Sequence, residues 1–207
     1  IMKLSCESNG LGHRFQNIFL FRHLNFILKE GAVTFVTGHN GSGKSTLLKI
    51  VTGAMQPIEG SVQFYDSTSL LENDVVWKYI GFVSPYQELP EDLTLNELIE
   101  FQKQMDQQPT AAEFYEDLIQ LFRMEKERDK QVRFFSTGMK QKAKFILNLS
   151  QSRPIWILDE PTSNLDPASV DHFWNFIQSN KSGRLILVAS NDPAEFNFAD
   201  ETIVLST

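Results

Sequence analysis

The stretch "GHNGSGKST", Gly38 to Thr46, decides how the rest of the chain is read. It meets G-x-x-x-x-G-K-[ST] at every defined position. It also sits between an apolar β-type run, "AVTFVTG" (Ala32 to Gly38), and a segment with helical spacing, "KSTLLKIVTGAM". Glycines let the backbone turn so that successive N–H groups point inward, and a following helix adds the positive end of its dipole. Gly38, Asn40, Gly41, Ser42, Gly43, Lys44, Ser45 and Thr46 thus form a cradle for phosphate oxygens. Within it Lys44 can bridge β- and γ-phosphates, and the Ser45 hydroxyl can ligate Mg²⁺. A glycine-rich turn with a merely solvated Lys would carry the same letters. The strand before and the helix after are what distinguish the two.

A second strand tip lies far downstream. "PIWILDEPTSNLD", Pro154 to Asp166, places four apolar residues before Asp159 and Glu160. At such a tip Asp159 can complete the Mg²⁺ shell with Ser45, and Glu160 can accept a hydrogen bond from an attacking water. Two acids leaving a strand are unremarkable alone, but not when paired with a complete phosphate loop. A third tip is "RLILVASNDPAEF", where the apolar run Leu185 to Ala189 opens onto Ser190, Asn191 and Asp192. Ligands of open α/β sheets gather outside the carboxyl ends of strands, so this turn is a candidate active-site edge.

Bulk properties narrow the class. The 207 residues suffice for one well-cored domain, and 17 Phe predict an aromatic core. A net charge of -7 argues against a general nucleic-acid binder and against docking by attraction to anionic lipid. One cysteine, Cys6, excludes an intramolecular disulfide, and no apolar run approaches the ~18 residues of a membrane span. The start, "IMKLSCESNG", lacks the pattern of a secretory signal. Further strands are expected at Val62 to Tyr65, Ile80 to Val83, Ile155 to Leu158 and Thr202 to Leu205. A mostly helical block runs from Leu93 to Gln151, with a break at Pro109 and an N-cap at Thr110. The resulting reading is an α/β nucleotide-type core interrupted by a helical insertion.

Together these motifs resemble the ATP-binding subunit of ABC transporters, over nearly the whole chain and in the family's order. "GHNGSGKST" and "IWILDE" look like its two nucleotide motifs, "FSTGMKQK" like a modified signature, and "SNLD" like its D-loop. The signature style looks most like exporter-type subunits, including the haem-exporter and ABC-2 groups. The resemblance implies a P-loop NTPase fold with a RecA-like parallel-sheet core, an N-terminal antiparallel β lobe and an inserted helical subdomain. Residues 1–207 would form a single domain, with the core and lobe in 1–84, the helical subdomain in 85–151 and the core again in 152–207.

It also implies the partners: ATP with Mg²⁺, a second ATPase subunit in an ATP-dependent homodimer or heterodimer, and a membrane permease, with no nucleic acid. The expected location is cytoplasmic, held through the permease at the inner face of the membrane. Each nucleotide would lie between one chain's Lys44 and the other's Ser136 and Gly138, with Asp166 crossing the seam; Ser136 and Asp166, the latter before Pro167, also read as helix N-caps. Phe15 fits the adenine-stacking aromatic, although Phe19 and Phe21 nearby make a core role almost as natural.

Several positions depart from the family pattern. Thr137 replaces a glycine and Met139 a glutamine of the signature. Pro85 falls where the Q-loop glutamine belongs, leaving Gln87, two residues on, as the candidate to reach Mg²⁺ or water. "PYQELPEDLTL" would line the permease groove, with Tyr86 and Leu89 as anchors. Asn191 stands where the family carries a switch histidine; its amide both donates and accepts, but on a shorter arm that cannot become cationic. Slow but real turnover is therefore expected. Competing readings are a nucleotide-gated module without turnover and a soluble, non-transport ABC ATPase.

Overall fold

The computed structural model describes residues 3–105, 112–149 and 153–205, without the side chains of Asn73 and Asp74. In chain order the elements are β1 (Leu4–Phe15), β2 (Ile18–Lys29), β3 (Val33–Thr37), α1 (Lys44–Val51), β4 (Glu59–Asp66) and β5 (Ser69–Leu71). The short α2 (Asn73–Val76), β6 (Ile80–Val83), α3 (Leu95–Met105), α4 (Ala112–Leu121) and α5 (Thr137–Asn148) follow. The chain then forms β7 (Ile155–Asp159), α6 (Pro167–Asn180), β8 (Leu185–Ala189) and β9 (Glu201–Val204). Pro109 and Thr110, the expected break and cap, lie outside the described residues.

Strands β6-β7-β8-β3-β9 form one sheet in that order, every neighbouring pair parallel. Strands buried on both faces are apolar throughout, which is why these runs are legible in the sequence. Alternate residues serve opposite faces. Trp156, Leu158, Ile186 and Val188 pack toward α3 to α6, while Ile155, Ile157, Leu185 and Leu187 pack toward α1 and the lobe. The first face is the expected aromatic core. Phe145 stacks on Phe173 at 4.5 Å, Trp174 on Phe198 at 4.9 Å, and Phe35 on Trp174 at 5.5 Å. Burying each such side chain contributes about 1.5–3 kcal/mol.

The second sheet is antiparallel, in the order β2-β1-β4-β5. Composition points to no strand before Ala32, yet β1 and β2 are the longest in the chain, 12 residues each. A one-sided sheet needs only alternate apolar residues. Here even that alternation breaks, because the β1–β2 register shifts between Ser8 and Leu11, Leu11 and His13, and His13 and Arg14. Each bulge reverses the face that the following residues present. The helices of the insertion sit on the parallel sheet through α5. A Cβ on Gly81 of β6 would fall 2.0 Å from the Asn148 carbonyl oxygen, so strand and helix meet backbone to backbone.

Candidate phosphate site

Three strand ends open on one edge of the parallel sheet. Asp159 is level with Ala189, and Val36 with the same Ala189, so the tips of β7, β8 and β3 stand side by side. The phosphate loop leaves β3 through Gly38 (φ 153), where a Cβ would meet Ser42 Oγ at 2.6 Å and the Leu205 carbonyl oxygen at 2.9 Å. It ends on Gly43 (φ 99), the N-cap of α1, a left-handed position where a Cβ would lie 2.9 Å from Leu20 Cβ. No side chain caps that helix, so its first N–H groups remain free for an anion. Lys44 is buried and arches back over the loop, its Nζ donating to the carbonyl oxygens of Gly38 (2.8 Å) and His39 (3.2 Å).

Ser45 Oγ donates to Asp159 Oδ1 at 3.0 Å. Asp159 is only 1% exposed, and burial pushes its carboxyl above the usual range against the pull of the Ser45 hydrogen bond, Lys49 and Lys44. A hydroxyl and a carboxylate held together beside a phosphate cradle are the hard oxygen donors Mg²⁺ takes, alongside water and phosphate. The residues therefore fit that ion.

Glu160 follows in a left-handed backbone conformation (φ 45), uncommon for a residue with a side chain and a usual mark of functional strain. Its N–H donates to the Ala189 carbonyl oxygen at 2.8 Å, which fixes the strand tip. Its carboxylate accepts from Asn191, at 2.5 Å from Nδ2 to Oε1 and 3.4 Å from the backbone N–H to Oε2. The shorter amide thus does reach Glu160, with no longer arm needed. Burial pushes the Glu160 carboxyl up, with Asp159 and Glu195 adding to it, while the Asn191 N–H and Lys44 oppose the shift. A cleft of about 210 Å³ collects Asn40, Gly41, Gly43, Lys44, Ser45, Thr46, Glu160 and Asn191. Leu20, which had no signal in the sequence, also lines it. Asn191→Ala is expected to lower turnover roughly 10-fold, the loss of one hydrogen bond to a charged group. ATP titration beside phosphate release checks this, and unchanged turnover would make the amide a bystander.

The signature residues stand at the start of α5. Ser136 caps it, its Oγ accepting from the Met139 N–H at 3.2 Å. Thr137 occupies the first helical position and is exposed, so its Cβ meets no conformational barrier there. Gly138 has a constraint of its own: a Cβ would lie 2.7 Å from the Asn164 carbonyl oxygen in the D-loop. Gly138→Ala must therefore displace that loop. It is expected to raise backbone amide exchange across residues 162–166, and unchanged exchange there would show that the loop accommodates the Cβ in place. Asp166 caps α6, accepting from the Ser169 N–H (3.0 Å) and Oγ (2.6 Å), and Lys142 Nζ approaches it at 3.3 Å. The Ser169 hydrogen bonds, with Lys142, hold its carboxyl well below the usual range.

Two expected site residues stand apart from the cleft. Phe15, at the β1–β2 turn, is 69% exposed, so the core alternative fails and its face is open to a ligand. Gln87 is not brought to Ser45 and Asp159. It lines a second cavity of about 440 Å³ with Pro85, Leu89, Gln141 and Lys144. The reason is a turn. The Gln87 N–H donates to the Ser84 carbonyl oxygen at 3.2 Å, with Pro85 at the second position that proline favours.

Sequence reading missed Glu195, a buried carboxylate that accepts from Thr162 Oγ1 and from Trp174 Nε1, tying the turn after Glu160 to α6. An acid in "NDPAEF" carries no local sign that it will be buried.

A parallel sheet whose strand tips gather a phosphate loop, a hydroxyl–carboxylate pair and a strained Glu defines a phosphate-binding α/β protein. The profile of the ABC transporter family matches residues 21–163, and the chain belongs to that family. It is 31% identical to the cytochrome c biogenesis ATP-binding export protein CcmA of Rhizobium johnstonii, over 84% of this chain and 82% of that one. It is 30% identical to the human phospholipid-transporting ATPase ABCA3 over 89% of its length, but spans only 11% of that larger protein. A solved ATP-binding subunit of an ABC transporter superposes with a TM-score of 0.84 at 24% identity, over 96% of this chain and 85% of that one. The fold is thus the P-loop core with its antiparallel lobe and helical insertion.

Proposed function

We propose that this chain binds and hydrolyses ATP as the nucleotide-binding subunit of an ABC transporter. The observation that carries the reading is the convergence of Lys44, Ser45–Asp159 and Glu160–Asn191 on one cleft. The loop N–H groups and Lys44 would hold the β- and γ-phosphates, with Ser45 and Asp159 holding Mg²⁺, which neutralises phosphate charge when bound. Glu160, with its carboxyl raised by burial and steadied by Asn191, accepts a proton from the water that attacks the γ-phosphorus. The bond to the β-bridging oxygen breaks, ADP departs, and the proton passes from Glu160 to solvent.

A single chain leaves Ser136 exposed at the uncovered end of α5, which supports ATP-dependent pairing of two subunits across Ser136, Gly138 and Asp166. Among the described residues no helix is long and apolar enough to cross a membrane. In the transport role this chain would act with a membrane permease and be held on the cytoplasmic face. Similarity to the CcmA export protein supports export. The reading of a module without turnover is weakened by the contact Asn191 keeps with Glu160. The test is steady-state phosphate release from Mg·ATP, with capture of the tagged chain from detergent-solubilised membranes. No release even with the captured membrane partner present would overturn the hydrolytic role.

A further inference from the structure

Two turns into α5, Lys144 is 6% exposed, and its ammonium is neutralised by no carboxylate in the described structure. Instead Nζ donates to the carbonyl oxygens of Ser84 (2.9 Å) and Pro85 (3.1 Å), just past the end of β6. Burying an ammonium on two neutral acceptors is costly, and burial, with Lys140 nearby, lowers its pKa. An apolar residue would pack at that position without the cost, so the two hydrogen bonds call for a role.

Their targets supply one. The Ser84 carbonyl also accepts from the Gln87 N–H, so Lys144 grips the first two carbonyls of the turn that presents Gln87. Gln87 Oε1 is itself buried without a hydrogen-bond partner, so the side chain does not anchor the turn through that atom. Three residues earlier on the same helix face, Gln141 Nε2 donates to the Pro161 carbonyl oxygen at 2.7 Å, one residue past Glu160. A single helix, whose N-cap is Ser136, thus holds the Gln87 turn and the Glu160 turn through two buried side chains. The cavity of about 440 Å³ alongside gives the Gln87 turn space to move.

We propose that Lys144 is a positioning residue that couples α5, and with it Ser136 and Gly138, to the Ser84–Gln87 turn. A shift of α5 drags the two carbonyls, and the turn follows. The inference rests on the ATP-hydrolysing reading of the neighbouring site, but its mechanical part can be tested apart from turnover. Lys144→Met keeps the apolar stem and removes both hydrogen bonds; Lys144→Arg keeps the charge and the donors. The measurements are backbone amide exchange over residues 84–89, ATP affinity, melting temperature and phosphate release.

For Lys144→Met, exchange at the Gln87 amide is expected to rise and turnover to fall, each roughly tenfold, the effect of losing hydrogen bonds from a charged donor. ATP affinity is expected to stay within about twofold, because the phosphate loop is untouched. Lys144→Arg is expected to restore most of both. If Lys144→Met does not fold, Lys144→Gln carries the same expectation. Unchanged exchange at Gln87 overturns the clamp, as does exchange rising evenly along the chain with ATP affinity lost. If the parent chain hydrolyses nothing, the ATPase reading falls while the exchange data still decide the clamp.

Discussion

Lys44→Ala lowers ATP affinity on the order of 100-fold, the scale of about 3 kcal/mol for charged hydrogen bonds. The side chain has two jobs that fail together. Its ammonium is the buried cation of the cleft, and its two hydrogen bonds to Gly38 and His39 hold the loop in the curve that aims its N–H groups inward. The His39 carbonyl also accepts from the Ser42 N–H at 3.1 Å, so the alanine variant leaves the cradle without its charge and with that turn held by one bond fewer. Nucleotide titration by calorimetry reads the loss directly. Unchanged affinity would remove the phosphate-loop assignment, and with it the rest of the site.

Glu160→Gln separates binding from chemistry. The amide is nearly isosteric and can still accept from Asn191, so the strand tip keeps its shape. What disappears is the proton acceptor, a loss of about 10²–10⁴-fold in turnover when a general base is removed. ATP affinity should survive, and the ATP-bound pair of subunits, no longer discharged by hydrolysis, should persist on size exclusion with Mg·ATP. Hydrolysis at the parental rate would show that Glu160 is not the base. The acid limb of the parent's kcat/KM profile offers a second reading. A carboxyl raised by burial is protonated earlier as pH falls, so activity is lost above the ordinary carboxylate range. The Gln variant should lack that limb.

Much of the site is legible in the sequence because its parts are local. A phosphate loop is a matter of consecutive backbone N–H groups. The caps at Ser136 and Asp166 each act within three residues, on the Met139 and Ser169 N–H groups. The core strands were visible because burial on both faces makes them continuously apolar. The lobe strands β1 and β2 were not, since glycines and register shifts erase the alternation that would reveal them.

The sequence by itself determined the phosphate cradle, the acidic tip at Asp159 and Glu160, and the capped starts of α5 and α6. All rest on interactions spanning a few residues. Only the tertiary structure decided which tips meet. Strand β8 runs between β3 and β7, so Asn191 is delivered to Glu160. The same packing lays α5 across β6, so that Lys144 holds a turn 60 residues away in the chain. Strand order and helix placement follow from burying two apolar faces of one sheet at once, a global condition that no short stretch of residues encodes.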